Sequence, residues 1–247
     1  MKNNLFIIIL AAGKGIRINA IDCPKVMFPL KGKPMIGYFA DTIKTLKPQK
    51  TIFVVGYYGQ QVIDYMKQFG TYDYVWQKEQ LGTGHAAEQA GSLLRGKNGI
   101  TIIVNGDNPL FRVETMLKMV EELKKQNAVL AISSANLDTE QFPYGRIVID
   151  NTGHVIKVVE AKNCSLQELK IKELNCGLYV ADNSWLWDNI GKIQKNNVSQ
   201  EFYITDLVEI ANQEKKRVIA VPVLDKREAI GINTKENLQE AEEALKN

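Results

Sequence analysis

The stretch LFIIILAAGKGIR, residues 5–17, decides the fold. Leu5 to Leu10 are six consecutive apolar residues rich in β-branched side chains. They read as a strand buried on both faces, and such strands belong to sheets covered by helices on each side. Ala11, Ala12 and Gly13 then replace bulk with small side chains, and Lys14, Gly15 and Arg17 follow in the same loop.

The same texture returns at Thr51–Val55, Tyr72–Trp76, Ile100–Asn105 and Val129–Ser133, with amphipathic segments between. Strands alternating with helices predict parallel strands joined by crossover helices. Pro34 is expected to open the first helix, with Ile36, Phe39, Ile43 and Leu46 on one face; Val113, Leu117, Val120 and Leu123 repeat that spacing later. The fold class is therefore α/β, a Rossmann-like doubly wound and mostly parallel, mixed sheet. After about residue 140 the texture changes. YGRIVIDNTGHVIKVVEAK, residues 144–162, reads as two alternating strands joined by a turn at Asp150–Gly153, a small antiparallel β addition forming a second lobe. A helix over Phe202–Asn212, a strand at Val218–Val223 and a last helix capped by Thr234 complete the reading. No repeat or linker divides the chain, so residues 1–247 are expected to form a single domain, its lobes meeting at about residue 110.

Composition narrows the function classes. At 247 residues, 45% hydrophobic and 24% charged, the chain is of ordinary globular type. A formal charge of +3 is small, and the one dense basic run is Lys215–Arg217, so no nucleic acid partner is expected. Cys23, Cys164 and Cys176 are odd in number and far apart, which predicts reduced thiols. The N-terminal apolar run is too short for a signal peptide or a membrane span, so a cytoplasmic location without a membrane partner is the expectation. The oligomeric state is left open. His85 and His154 form no metal set, and Trp185 and Trp187 read as packing residues.

The glycine loop fits neither common phosphate motif. A dinucleotide fingerprint would need glycine where Ile18 stands, and Gly32-Lys33 is followed by Pro34 rather than by serine or threonine. What remains is a surface turn or an anion cradle. Gly13 and Gly15 let backbone N–H groups approach an anion, and Lys14, Arg17 and Lys25 surround it with positive charge. That favours a triphosphate cradle.

With these residues in place the chain resembles the sugar-nucleotide pyrophosphorylases, a nucleotidyltransferase family, and within it the uridylyltransferase domain that makes UDP-N-acetylglucosamine. The resemblance is carried by LAAGKGIR (10–17), PKVMFPLKGKPM (24–35), QKEQLGTGHAA (77–87), VNGDNPL (104–110), YGRIVID (144–150), VEAK (159–162), LNCGLY (174–179), EFYITDL (201–207) and GIN (231–233). It implies Mg²⁺-dependent attack of a sugar-1-phosphate on the α-phosphorus of UTP, with pyrophosphate leaving in line. A phosphate monoester is already ionised at neutral pH, so the nucleophile needs no general base.

The resemblance implies roles residue by residue. Arg17, Lys25 and Asp107 would be catalytic, and Asp107 with Asn233 would hold Mg²⁺. Leu10, Ala11, Ala12, Gly13, Lys14, Gly15, Gln77, Gly82 and Thr83 would bind the nucleotide in the first lobe. Gly145, Glu160 and Asn175 would bind the sugar in the second. Asp107 follows a buried strand, so its carboxylate should emerge at the carboxyl edge, where open α/β sheets bind ligands; the competing reading is a helix N-cap. Four features depart from the family pattern. Ile16 stands where serine or threonine is expected, Asn105 where tyrosine is common, and Cys176 where threonine is expected, while the run from Arg17 to Lys25 is one residue longer. Other readings therefore stay open: another sugar-1-phosphate or a phospho-alcohol as acceptor, CTP or dTTP as donor, or a non-catalytic nucleotide-sugar-binding protein. The family's bifunctional members continue into hexapeptide repeats; this sequence has no such period, and acetyl transfer is not expected of it.

Overall fold

The computed structural model describes residues 4–18, 22–137 and 144–246. Residues 19–21, within the run from Arg17 to Lys25 that is one residue longer, lie outside the described residues. The chain runs β1 (Leu5–Ala11), the two-residue strands β2 (Pro29–Leu30) and β3 (Lys33–Pro34), α1 (Tyr38–Leu46), β4 (Lys50–Val55), α2 (Gly59–Met66) and β5 (Asp73–Trp76). It continues through α3 (Thr83–Glu88), α4 (Gly91–Leu94), β6 (Ile100–Asn105), α5 (Val113–Lys125), β7 (Leu130–Asn136), β8 (Arg146–Ile149) and β9 (Val155–Val159). The last elements are β10 (Glu173–Asp182), α6 (Asn183–Asn189), α7 (Leu207–Gln213), β11 (Val218–Pro222) and α8 (Lys235–Ala244).

The main sheet has the strand order β11-β7-β10-β6-β1-β4-β5, with the β8–β9 hairpin branching from β10. β1 lies between β4 and β6 and is parallel to both. Its side chains alternate between two cores, as a doubly wound sheet requires. Ile7 and Ile9 face Phe39 of α1, Val62 of α2 and Met116 of α5. Phe6 and Ile8 face Ala86 of α3, Trp185 of α6 and Leu207 of α7. From β1 the chain first builds outward through β4 and β5, then crosses to β6 on the other side. The crevice at the carboxyl ends of β1 and β6 is thus a topological switch point, where such sheets take ligands.

Three local expectations are corrected. Pro34 ends the small β2–β3 hairpin, a short helical turn over Met35–Gly37 follows, and α1 begins only at Tyr38. In α5 the buried stripe runs through Met116, Met119, Val120 and Leu123, while Leu117 is 49% exposed. The methionines carry the stripe one residue out of phase with the leucine chosen from sequence. Third, the helix expected over Phe202–Asn212 is a helical turn at Ile204–Asp206 followed by α7 from Leu207, because Phe202 bridges to Lys195 and donates its N–H to Leu81 O at 2.7 Å. One strand was not anticipated at all. LNCGLY lies in β10, a ten-residue strand in the middle of the sheet, antiparallel to both β6 and β7. Asn175 and Gly177 interrupt its apolar pattern at a register shift, which hides it from a periodicity reading.

Elsewhere pattern and structure agree. Asp150 Oδ1 accepts from Thr152 N at 2.8 Å and His154 N at 3.0 Å, closing the β8–β9 turn. Thr234 Oγ1 accepts from Asn237 N at 3.3 Å at the start of α8. Trp185 and Trp187 are buried, and the three cysteines are free thiols. Among the described residues no helix is long and apolar enough to cross a membrane.

Candidate active site

The loop after β1 is tied down on each side. Gly106 N donates to Leu10 O at 2.9 Å, Tyr57 N to Ala12 O at 3.4 Å, and Lys25 N to Gly13 O at 3.1 Å. Lys25 opens a helical turn whose next residue, Val26, is 2% exposed, so burial of Val26 anchors the lysine's backbone. Its ammonium donates to Asp107 Oδ2 and, at 2.8 Å, to Asn233 Oδ1. Arg17 Nη2 reaches that same Asn233 oxygen at 2.8 Å. Four residues drawn from across the sequence therefore meet at the carboxyl edge of β1 and β6.

Asp107 is not a helix cap. Helix α5 begins at Val113, preceded by Arg112, and the Asp107 carbonyl instead accepts Ile232 N at 2.9 Å, holding the GIN segment against the strand edge. Tyr144 adds a second clamp, its hydroxyl accepting Gly231 N at 2.9 Å. Burial pushes that hydroxyl up to about 12, so it stays protonated across the physiological range.

A cavity of about 290 Å³ extends from this cluster. Leu10, Ala12, Gly13, Lys25, Asn105 and Asp107 line it together with Gln77, Gly82 and Thr83, while Arg17 and Asn233 adjoin it through Lys25 without lining it. Gln77 is only 3% exposed; its Nε2 donates to Gly82 O at 3.0 Å and lies 3.1 Å from His85 Nδ1. Read alone it would be a surface residue, and the turn into α3 is what encloses it. Gly82 adopts φ +102°, and Thr83 Oγ1 accepts Ile204 N at 3.1 Å.

The remaining expected residues are placed less centrally. Ala11 is buried within β1, Gly15 forms the turn bonded to Ile18, and the Lys14 ammonium lies 5.9 Å from the centroid of the Tyr57 ring. None of these three lines the cavity. Gly145, Glu160 and Asn175 also lie outside its lining. Gly145 O accepts Asn175 N at 2.8 Å, which brings two of them together. The Asn175 amide is engaged by its own strand, donating to the Tyr179 hydroxyl at 2.7 Å and accepting Gly177 N at 3.1 Å. Glu160 accepts from Thr205 Oγ1 at 3.2 Å, and burial raises its carboxyl above the ordinary range, with Glu201 adding to the rise. Cys176 packs into the core beside α5 and burial drives its thiol pKa upward, so the hydroxyl a threonine would offer there faces core, not cavity.

Sequence reasoning missed Gln80, Glu201 and Tyr203 as cavity residues. EFYITDL was legible as a motif, but no single side chain in it was assigned. The Tyr203 ring is 8% exposed, with the Lys162 ammonium 5.3 Å from its centroid and paired with Glu201 at 3.2 Å.

The residues present fit Mg²⁺. Asp107 and Asn233 each offer a hard oxygen, and both oxygens contact one cationic nitrogen, so they converge on a common point. Mg²⁺ asks for one or two protein oxygens and completes its shell from phosphate and water.

Comparison with known proteins identifies the family. A family model described as nucleotidyl transferase matches residues 6–240. The bifunctional protein GlmU of Bacillus cereus is 38% identical over 246 residues, covering 99% of this chain and 52% of that protein. The protein of the same name from Enterococcus faecalis is 36% identical over 242 residues, covering 98% and 52%. The chain thus spans about half the length of these curated relatives. Among solved structures, a UDP-glucose pyrophosphorylase complexed with UDP-glucose superposes with a TM-score of 0.81 at 20% identity, over 98% of each chain. At that identity the likeness is one of fold.

Proposed function

The chain belongs to the nucleotidyl transferase family, and from that premise we propose that it makes a UDP-sugar, foremost UDP-N-acetylglucosamine, and pyrophosphate from UTP and a sugar-1-phosphate. The observation that carries the reading is the meeting of Arg17, Lys25, Asp107 and Asn233 beside a cavity that Lys25 and Asp107 line together with Gln77, Gly82 and Thr83. A triphosphate laid along the loop would place its leaving phosphates against Arg17 and Lys25, and its base against the buried amide.

The chemistry asks little else of the protein. The monoester nucleophile is ionised, so the task is to hold two anions in line and to offset charge on the transferring group. Arg17 and Lys25 do this from a loop fixed by its backbone bonds. Gln77, its amide plane fixed by Gly82 and His85, presents its Oε1 to the imide N–H of a pyrimidine and can donate to the base only by giving up one of those two bonds. Glu160 and Asn175 would take sugar hydroxyls, with Gly145 leaving space. Mg²⁺, held by Asp107 and Asn233, supplies Lewis-acid charge to the phosphates when bound.

One observation favours a second acceptor class. The Asn105 side chain stands in the cavity wall where the resemblance expects tyrosine, so that wall is smaller and more polar. A different sugar-1-phosphate, or a phospho-alcohol with CTP or dTTP, is the second reading. A pyrophosphate-release panel crossing UTP, CTP and dTTP with these acceptors decides. UTP with N-acetylglucosamine-1-phosphate should give the highest kcat/KM. Tight UDP-sugar binding without pyrophosphate release from any pair would refute catalysis and leave a nucleotide-sugar-binding protein.

A further inference from the structure

Asp107 Oδ2 and Asn233 Oδ1, the two oxygens read above as the cation donors, are both spent on the Lys25 ammonium. The pair is enclosed, with the Lys25 side chain 12% exposed and that of Asp107 20% exposed, so water screens it weakly. Lys25 cannot drift from this position without loss, because its backbone is held by Gly13 and its neighbour Val26 is buried. An unpaired carboxylate at this depth would be costly, and the ammonium offsets that cost. Arg17 adds a second positive group on the Asn233 oxygen. Lys14, from the same loop, takes no part; its ammonium lies over Tyr57.

We propose that Lys25 is an internal cation that closes the Asp107–Asn233 pair to a free divalent ion, which then enters only together with a triphosphate whose oxygens draw Lys25 away. This rests on the reading of Asp107 and Asn233 as the donors. A metal ion and an ammonium compete for the same two oxygens, so whatever favours the released lysine favours the ion. By linkage the coupling is reciprocal: the ion strengthens triphosphate binding by the factor by which triphosphate strengthens binding of the ion.

The test titrates Mn²⁺ alone into the ligand-free chain and reads free Mn²⁺ by electron paramagnetic resonance. Lys25→Met should tighten Mn²⁺ binding at least about fivefold, the lower end of typical coupling between sites. Lys25→Gln, uncharged but still able to donate to Asn233, should tighten it as well and serves if the methionine variant fails to fold. Lys14→Met removes the same charge from the same loop without touching the pair and should change binding by no more than about twofold, as expected for a screened charge that makes no contact with the two oxygens. Lys25 variants that bind Mn²⁺ no tighter than the parent would overturn the proposal, as would equal tightening by Lys14→Met. If Lys25→Met keeps its gain when Asp107→Asn is added, the donor reading itself falls and the proposal with it. If Asp107→Asn weakens Mn²⁺ binding in the parent while Lys25→Met leaves it unchanged, the donors stand and the proposal alone falls.

Discussion

Replacing Gly82 with alanine should damage fold and site together, by an amount that can be worked out. Its φ is +102° and its ψ 177°, a backbone region essentially reserved for glycine; a side chain there costs about 1–3 kcal/mol. The new Cβ would also sit 2.5 Å from Phe202 O and 2.9 Å from Phe202 N. Those are backbone atoms fixed by hydrogen bonds, Gly84 N to Phe202 O at 2.9 Å and Phe202 N to Leu81 O at 2.7 Å, so no flexible chain end can yield. Forced shifts of packed neighbours add about 1–3 kcal/mol. The sum, about 2–6 kcal/mol, lowers the melting temperature by about 4–24 °C for a domain of this size. Because Gln77 is held by Gly82 O, nucleotide affinity should fall as well. Gly13→Ala is the internal control: nothing lies within 4 Å of its added Cβ, and its melting temperature should stay within about 2 °C of the parent. Calorimetry of both variants, with a nucleotide titration, makes the measurement. A Gly82→Ala protein that melts with the parent and binds nucleotide as tightly would refute the reasoning.

Other outcomes follow from the same geometry. Lys25→Ala and Asp107→Ala should each reduce kcat/KM for pyrophosphate release by about 10²–10³, the usual cost of one preorganised electrostatic partner; full activity in both would overturn the site assignment. Glu228 is 1% exposed and accepts Arg112 N at 2.9 Å, Thr115 Oγ1 at 2.9 Å and Asp225 N at 3.0 Å. Glu228→Ala would leave these three donors without their acceptor and should therefore cost about 3 kcal/mol or more in urea unfolding, at about 1–3 kcal/mol for each unsatisfied donor, and a loss below about 1 kcal/mol would contradict that. Burial, then Glu209 and Glu160, raises Asp206 from 3.8 to about 6. A carboxyl that holds its proton more tightly when folded contributes stability that is complete below 3.8 and lost as pH rises through about 6. Asp206→Asn should accordingly stabilise the protein more at pH 8 than at pH 4.5, by at most about 2 kcal/mol and less as solvent screens the carboxylate, and a pH-independent effect would count against it.

What was legible in the sequence was what local pattern encodes. β1 and β6 are each buried on both faces, so an unbroken apolar run identifies them, and the small residues after β1 mark where the backbone must approach a ligand. β10 is buried as deeply, yet Gly177 at φ +85° and the polar Asn175 break the run, because the strand shifts register there to pass β7. A strand defined by two neighbours distant in sequence gives no short-range signal. Leu117 failed for the opposite reason: the helix was real, but a leucine outweighed two methionines in setting its phase.

The site divides along the same line. Lys25 and Asp107 could be proposed from local chemistry, a cation in a glycine loop and a carboxylate past a strand end, although they lie 82 positions apart. Asn233 could not, since a lone asparagine before a helix reads as a cap; the resemblance alone raised it, and the fold then brings it, 216 positions from Arg17, to the edge that Asp107 also occupies. Gln77 likewise changes meaning once Gly82 and His85 enclose it. Residues whose chemistry depends on a neighbour brought by topology are therefore the ones where family resemblance supplied what periodicity did not. For Gly145, Glu160 and Asn175 the resemblance went further than the ligand-free geometry does. The Asn175 amide is satisfied within its own strand, so a sugar must displace the Tyr179 or Gly177 bond to be read by it. Each new hydrogen bond there, like any donated by Gln77 on the nucleotide side, replaces one already made, so both sides should discriminate less sharply than unpaired polar groups would.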